Sequence, residues 1–277
     1  MRKPERREFQ KRGRHPAHLS ERGAKPKVGR SDALRVAGLA AVTALFERGS
    51  ERIERLFFAP EMSRAVGRFC RLLGQVHKPY RQVSADELAR IAGTAMHGGV
   101  VALARPRPVV PFDADLAAQD AAAVPLLVIL DGIGNPHNLG AIVRSAAFFG
   151  LDRLVLSDHP AQAGVSDAVY RVAEGGLEYV QLFKANGMPG ALRQLRASYR
   201  VVGTALGRGR TLATLARDRP IAVVLGNEER GLDSTTLDAC DEVVTIPGSG
   251  WVQSLNVAAA AAVLIHDLLR TAPKKRG

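Results

Sequence analysis

Residues 130–145 combine a Gly/Asn/Pro turn with an asparagine and an arginine that could together bind an anion. An apolar run ends at this point, and Asn138 is placed to cap the helix predicted to follow. The N-terminus of that helix would point N–H groups at an anion, and Arg144, about one and a half turns further on, has a side chain long enough to reach the same end. Taken alone, Arg144 is more simply explained as a surface charge. The predicted apolar face of this helix consists of Leu139, Ile142, Val143, Ala146 and Phe149.

Two further segments, residues 224–232 and 245–260, also place glycine and polar residues directly after an apolar run. In the first, Gly226 would let the backbone approach a ligand, and Glu228 and Glu229 would suit the positive end of a following helix. A tight turn with helix-capping acids accounts for the same residues. In the second, a glycine-rich loop could hold phosphate, but its G-x-G-x-x-Q order matches neither the dinucleotide nor the Walker pattern. The alanine run 258–262 suits close approach of another helix, or burial within the same chain.

All three segments follow strands of one predicted sheet. Short apolar runs alternate with helical patterns at residues 126–130, 153–156, 180–183, 201–205, 221–225 and 243–246. Runs that are apolar on both faces and separated by helices are typical of a mostly parallel sheet covered on both sides, the α/β class. Because ligands of such sheets bind beyond the carboxyl ends of the strands, we expect the three segments to meet at one edge.

The rest of the chain divides into an arm, a small domain and a linker. Residues 1–30 contain eleven Lys/Arg, three Glu and few apolar residues, which indicates a disordered basic arm. Such an arm could bind RNA electrostatically, or it could serve only to keep the protein soluble. Residues 31–106 are predicted to form a small α/β domain, and residues 107–124 a Pro-rich linker. The runs predicted in the small domain are 33–46, 53–59, 63–76, 80–83, 85–92 and 100–104.

Composition points to a polyanion as partner. The 277 residues carry a formal net charge of +12, and 46% of them are hydrophobic, as in a globular protein. The sequence has neither an apolar run of about 18 residues nor the apolar stretch of a secretory signal, so we expect a cytoplasmic protein that does not enter a membrane. Cys70 and Cys240 are far apart and offer neither a disulfide framework nor a zinc site, which leaves them as buried small hydrophobes.

Together, the three segments resemble the three motifs of the SpoU (TrmH) family of SPOUT methyltransferases. The matching patterns are N-x-G-x-x-x-R-S from Asn138, L-G-x-E-x-x-G-L from Leu225 and I-P-x-x-G-x-x-x-S-L-N-V from Ile246. The resemblance covers the chain from residue 125 to its C-terminus, taken as the methyltransferase domain, 125–277. Residues 31–106 resemble, more weakly, the substrate-binding domain of the family, through residues 36–39 and 97–102.

The resemblance implies a deep trefoil knot, a homodimer and an S-adenosylmethionine-dependent transfer of a methyl group to a ribose 2′-hydroxyl of ribosomal or transfer RNA, without a metal. S-adenosylmethionine would lie bent in the knot, against a site made largely of backbone. The residues implied for this site are Thr204, Ala205, Gly226, Ile246, Pro247 and Leu255.

Family precedent gives Arg144 a catalytic role. A guanidinium is already protonated at neutral pH, so Arg144 is poorly suited to remove the proton of the ribose hydroxyl. We expect Arg144 instead to hold the target phosphate and to stabilise the developing alkoxide charge. Asn138, Glu228, Ser254 and Asn256 would then orient Arg144, the loops and the substrate.

The sequence departs from the family pattern in three places. Gly248 stands where the family commonly has Met, and Ala258 stands where it often has Ser. The segment 173–176 reads Ala-Glu-Gly-Gly where many relatives have S-x-G-A. Two hydroxyls are thereby lost near the expected RNA-facing region, which leaves substrate identity and turnover open. One alternative is a catalytically weak or silent relative that acts as an RNA-binding protein. Another is a nucleotide-using oxidoreductase, which would need a glycine fingerprint that residues 131–136 lack.

Overall fold

The computed structural model describes residues 33–270, so the predicted basic arm lies outside the described residues. Residues 34–104 form a four-stranded sheet in the order β1-β4-β2-β3, with β3 parallel to β2 and the other pairs antiparallel. Its elements are β1 (Leu34–Ala37), α1 (Leu39–Arg48), β2 (Ile53–Phe58), α2 (Ser63–Gln75), β3 (Tyr80–Gln82), α3 (Ala85–Ala92) and β4 (Val100–Ala104). The single run predicted over 33–46 is wrong, because Gly38, with a φ of 94°, separates a strand from a helix.

The second sheet has eight strands, all parallel, in the order β10-β12-β9-β11-β6-β7-β8-β5. Its strands are β5 (Val110–Pro111), β6 (Leu126–Asp131), β7 (Arg153–Leu156), β8 (Gln181–Lys184), β9 (Arg200–Thr204), β10 (Arg210–Thr211), β11 (Ile221–Gly226) and β12 (Glu242–Thr245). Its helices are α4 (Ala114–Gln119), α5 (Pro136–Phe148), α6 (Asp167–Ala173), α7 (Met188–Leu195), α8 (Ser234–Asp238) and α9 (Val257–Arg270). The predicted parallel α/β sheet is confirmed.

Every residue of the central strand β6 is buried, which explains its continuous apolar sequence. Leu126, Val128 and Leu130 face a core shared with α5 and α9. Leu127 and Ile129 face the opposite core, shared with α7. The alternation along one strand therefore fixes helices on both sides of the sheet and leaves its carboxyl edge for the loops.

Part of the predicted linker, 107–124, is ordered secondary structure. Val110 and Pro111 pair in parallel with Phe183 and Lys184 at the edge of the large sheet. Asp113 then caps α4, its Oδ1 accepting a hydrogen bond of 3.0 Å from the Leu116 N–H. A proline lacks an N–H to donate, and this restricts it to edge strands as well as to linkers, so composition alone does not separate the two.

The small sheet packs directly on the large one through a buried ion pair. The Arg52 guanidinium contacts the Glu178 carboxylate and also donates to the Tyr170 hydroxyl (3.3 Å) and to the Arg105 carbonyl (3.0 Å). Arg35 adds an ion pair of 2.7 Å with Asp167 at the start of α6. The Arg52 and Glu178 side chains are only 10% and 2% exposed, so this ion pair lies buried where the two sheets meet.

Between residues 33 and 270, none of the helices is both long and apolar enough to cross a bilayer. Cys70 and Cys240 are free thiols and are partly buried, less than the sequence analysis expected. Burial raises the pKa of Cys240 to about 12, which keeps it protonated, and its Sγ donates to the Thr236 carbonyl at 3.3 Å.

Candidate active site

The three sequence segments meet at the carboxyl edge of the large sheet. Gly226 at the end of β11 pairs with Asp131 at the end of β6, and Val244 near the end of β12 pairs with Thr204 at the end of β9. The turn before α5, the turn after β11 and the loop before α9 all start from this edge. Parallel pairing thus brings together segments that are about a hundred residues apart in sequence.

The helix α5 begins three residues earlier than predicted, and Asn135 rather than Asn138 caps it. The Asn135 Oδ1 accepts a hydrogen bond of 2.8 Å from the His137 N–H, and Pro136 occupies the first helical position, where no N–H is needed. Asn138 therefore lies in the first turn with its side-chain amide free for longer-range contacts.

One hydrogen-bonded chain of side chains joins all three segments. The Asn256 Nδ2 donates to the Asn138 Oδ1 at 3.0 Å, and the Asn138 Nδ2 donates to the Glu228 Oε1 at 2.8 Å. Asn256 also caps α9, because its Oδ1 accepts from the Ala258 N–H at 2.8 Å. We call the side chains of Asn138, Glu228 and Asn256 the asparagine–glutamate chain.

Glu228 lies at the N-terminus of α5, not at the helix after its own strand, where Asp233 occupies the N-cap position. Its carboxylate accepts from the Gly134 N–H (3.3 Å) and the Asn135 N–H (3.5 Å) as well as from Asn138. Burial alone would raise the pKa of Glu228, but these hydrogen bonds outweigh it and hold the pKa below its ordinary value. An ionised carboxylate whose oxygens are occupied in this way can position a loop but is a poor proton acceptor.

The turn that follows β11 leaves room only for a glycine at position 226. A Cβ there would lie 2.4 to 2.5 Å from the backbone of Gly231 and Leu232, because residues 227 and 231 pair across a tight turn. The Asn227 Nδ2 ties this turn to the β6 end by donating to the Gly132 carbonyl at 2.8 Å. The close approach expected at Gly226 is thus made by backbone of the same chain.

Arg144 is not part of the asparagine–glutamate chain. Its Nη1 forms an ion pair of 2.8 Å with the Glu174 Oε1, at the C-terminal end of α6. Both side chains are about half exposed. The expectation that Arg144 reaches back to the start of α5 is therefore not met in this state.

The loop between β12 and α9 presents its backbone to solvent. Residues 247–256 are all exposed, and within the described part of the chain residues 247–255 make no backbone–backbone hydrogen bond. Ser254 and Leu255 belong to this loop, and Ile246 is half-buried at its start. Nearby, the Thr204 hydroxyl donates to the Val224 carbonyl (2.9 Å), and the Ala205 N–H donates to the Val244 carbonyl (3.0 Å). These residues offer unpaired backbone groups and apolar side chains, which fit a ligand that is part polar and part aromatic.

A cavity of about 220 Å³ opens at the same edge. Its lining includes Asp131, His159, Asn227, Arg230 and Asp233, from the loops after β6, β7 and β11. No sequence pattern singled out His159. Asn135, Asn227 and Glu174 were also missed, because each acts through a partner distant in sequence or through a local cap. Across residues 33–270, no group of three or more His, Cys, Asp or Glu side chains is arranged to hold a metal ion.

Two family models match the chain and together cover most of its described residues. The model of the SpoU rRNA Methylase family matches residues 125–266, and that of the RNA 2′-O ribose methyltransferase substrate-binding domain matches residues 35–110. The chain belongs to the SpoU rRNA methylase family. The resemblance inferred from the three motifs is thereby confirmed.

Relatives and solved structures agree with this SpoU family assignment. The chain is 36% identical to the 23S rRNA (guanosine-2′-O-)-methyltransferase RlmB of Nitrosomonas europaea, over 69% of this chain and 74% of that protein. It is 33% identical to RlmB of Acinetobacter baylyi, over 84% and 95% of the two chains. A crystal structure of an RNA 2′-O ribose methyltransferase superposes with a TM-score of 0.66 at 25% identity, covering 86% of this SpoU-family chain and 88% of that one.

Proposed function

We propose that this SpoU-family chain is an enzyme that methylates ribose 2′-hydroxyls of ribosomal RNA, with S-adenosylmethionine as methyl donor. The observation that carries the proposal is the asparagine–glutamate chain, which ties the three family motifs into one site at the carboxyl edge of the sheet. The RlmB relatives, named as methylating guanosine of 23S rRNA, make a guanosine of that RNA the first substrate to test.

The loop after β12 and the ends of β9 and β11 are the proposed cofactor site. Thr204, Ala205 and Gly226 would form its floor, and the loop residues Ile246, Pro247 and Leu255 would cover it. The exposed backbone of residues 247–255, which makes no backbone–backbone hydrogen bond in the described chain, supports this fit, because a nucleoside needs N–H and C=O partners. When bound, S-adenosylmethionine supplies a methyl group already activated on a sulfonium, so the protein has mainly to orient the attacking hydroxyl.

Arg144 is the proposed phosphate ligand. A guanidinium stays charged at neutral pH and offers a planar pair of donors, which suits a phosphodiester and a developing alkoxide but not proton removal. Asn138, Glu228, Ser254 and Asn256 are proposed to orient the loops around the substrate. Among these, Glu228 holds the N-terminus of α5 in place through three hydrogen bonds, and Ser254 lies exposed, where RNA could reach it.

We further propose a homodimer with a knotted C-terminal region. The exposed apolar side chains Phe148 of α5, Val263 of α9 and Trp251 and Val252 of the loop support an interface on this side of the sheet, and Phe148 and Trp251 are 82% and 92% exposed. Light scattering is expected to give twice the mass of one chain, and Phe148→Asp to shift it toward that of a single chain. We also propose that the protein acts in the cytoplasm, where ribosomal RNA is made in bacteria.

The first experiment is calorimetric titration of the purified protein with S-adenosylmethionine, followed by methyl transfer to ribosomal RNA from a strain that lacks the gene. Nuclease digestion and mass spectrometry are expected to reveal a 2′-O-methylated nucleoside. Arg144→Lys is expected to bind the cofactor normally and to lose most single-turnover transfer, because a lysine cannot make a forked contact. Cofactor binding without transfer to any RNA would favour the silent RNA-binding relative.

A further inference from the structure

We propose that Glu174 is a positioning residue that occupies Arg144 until an RNA phosphate replaces it, and so tunes which RNA the enzyme retains. The inference rests on the proposed role of Arg144 as phosphate ligand. Its basis is the ion pair of 2.8 Å between the Arg144 Nη1 and the Glu174 Oε1. Glu174 takes no part in the three motifs.

The backbone of Glu174 has an unusual conformation. Its φ of 45° and ψ of 44° place it in the left-handed region, where a glycine or asparagine commonly ends a helix. A non-glycine residue is disfavoured there, and residues in disfavoured conformations are more frequent at functional sites than elsewhere. At the end of α6 the task that the contacts reveal is the pairing with Arg144.

The two residues after Glu174 are clamped between two helices. A Cβ on Gly175 would lie 2.9 Å from the Ala44 Cβ of α1, and one on Gly176 would lie 3.3 Å from the Arg144 Cα of α5. The loop therefore has no room to shift toward either helix. The ion pair can therefore separate by rotation of the two exposed side chains, without movement of the backbone at Glu174.

Exchange of Glu174 for a phosphate is energetically easy. Both side chains are more than half exposed, at 57% and 52%, and exposed ion pairs are weak in water. A phosphodiester carries the same charge as the carboxylate and can engage both edges of the guanidinium. In a chain of net charge +12, an unpaired Arg144 would attract any polyanion, so Glu174 lowers capture of RNA that cannot also place a phosphate at this point.

The test compares wild-type protein with Glu174→Gln in binding to a short mixed-sequence RNA hairpin over a range of salt concentrations. Glutamine keeps the size of the side chain and removes its charge. We expect Glu174→Gln to bind about two- to five-fold more tightly, the fold-change that corresponds to one exposed ion pair. The slope of log affinity against log salt should steepen by up to about 0.7 to 0.9, the effect of one additional phosphate contact.

Two controls separate pairing with Arg144 from a general charge effect. Asp218→Asn removes the same charge from an exposed carboxylate that pairs with the mostly buried Arg200, at the amino end of β9, and should change RNA affinity much less. In an Arg144→Gln background the effect of Glu174→Gln should vanish. With ribosomal RNA as substrate, Glu174→Gln should lower KM and leave kcat unchanged, and Glu174→Asp should restore part of the wild-type KM.

Equal effects of Glu174→Gln and Asp218→Asn, persistence of the effect without Arg144, or no RNA binding by any of these proteins would overturn the inference. Failure of the proposed function looks different. If the wild-type protein transfers no methyl group but the Arg144-dependent change in affinity and salt slope is observed, the methyltransferase assignment fails and the role of Glu174 stands.

Discussion

Replacing Gly226 with alanine distinguishes two explanations for the glycine that ends β11. The added Cβ would meet the Gly231 and Leu232 backbone at 2.4 to 2.5 Å, more than 1 Å inside the roughly 3.5–4.0 Å of an ordinary contact. Because backbone cannot rotate away as a side chain can, we expect a cost at the upper end of the range for overpacking, about 2 to 3 kcal/mol. For a chain of this size, that lowers Tm by about 4 to 12 °C.

The assay is thermal unfolding followed by circular dichroism, together with calorimetric titration of S-adenosylmethionine. Gly67→Ala is the matched control, because Gly67 lies inside α2 with no atom within 4 Å of an added Cβ. It should raise the free energy of unfolding by about 0.5 to 1 kcal/mol. If Gly226→Ala kept the wild-type Tm but lost cofactor binding, the glycine would serve the ligand, and its assignment to the closed turn would be refuted.

Three further changes test the described contacts. Arg52→Met, which leaves the Glu178 carboxylate buried without its cation, is expected to cost about 3 to 5 kcal/mol in urea unfolding; a smaller loss in the Arg52→Met/Glu178→Met double variant would confirm that the orphaned charge is the cause. Glu174→Gly should stabilise the protein by about 0.5 to 1 kcal/mol, since glycine accepts a φ of 45° without strain, and an unchanged or lower midpoint would contradict the left-handed conformation. The folded-state pKa of Glu228 lies below its ordinary value of 4.5, so ionised Glu228 stabilises the fold above that pH and this stabilisation is lost as pH falls through the lowered pKa. Glu228→Gln should therefore reduce the loss of stability between pH 5 and pH 3, as measured by urea unfolding at each pH.

The large sheet could be predicted from the sequence because its main strands are short apolar runs, of which β6 and β11 are buried throughout. The runs at 126–130, 153–156, 180–183, 201–205, 221–225 and 243–246 all became strands, with ends displaced by one residue at most. Strand β5 was missed because it is two residues long, holds a proline and lies at the sheet edge, where no apolar pattern is required. The break at Gly38 was missed because a strand and a helix of similar hydrophobicity follow each other directly.

Motif order indicated the residues of the site, but their partners depend on the fold. We predicted that Glu228 would lie at the N-terminus of the helix after its own strand, where a carboxylate is favourable. The parallel pairing of β11 with β6 instead places it at the start of α5, beside Asn138, which is 90 residues away in sequence. Asn138 and Asn256, 118 residues apart, meet for the same reason. Contacts of this kind follow from strand order, which local patterns leave undetermined.

Arg144 shows the limit of reasoning from spacing. In a helix the Cα–Cβ bond tilts toward the N-terminus, which favoured contact with the first turn of α5. The side chain nevertheless extends to Glu174, because the left-handed end of α6 and the clamped glycines behind it hold a carboxylate within reach. The free enzyme therefore keeps its proposed phosphate ligand paired and half exposed. Such pairing favours the correct RNA over other polyanions. For the correct RNA, exchanging the Glu174 carboxylate for a phosphate costs little, and the contacts to the target ribose add binding energy. RNA that does not place a ribose in the site makes the same exchange and gains little from it.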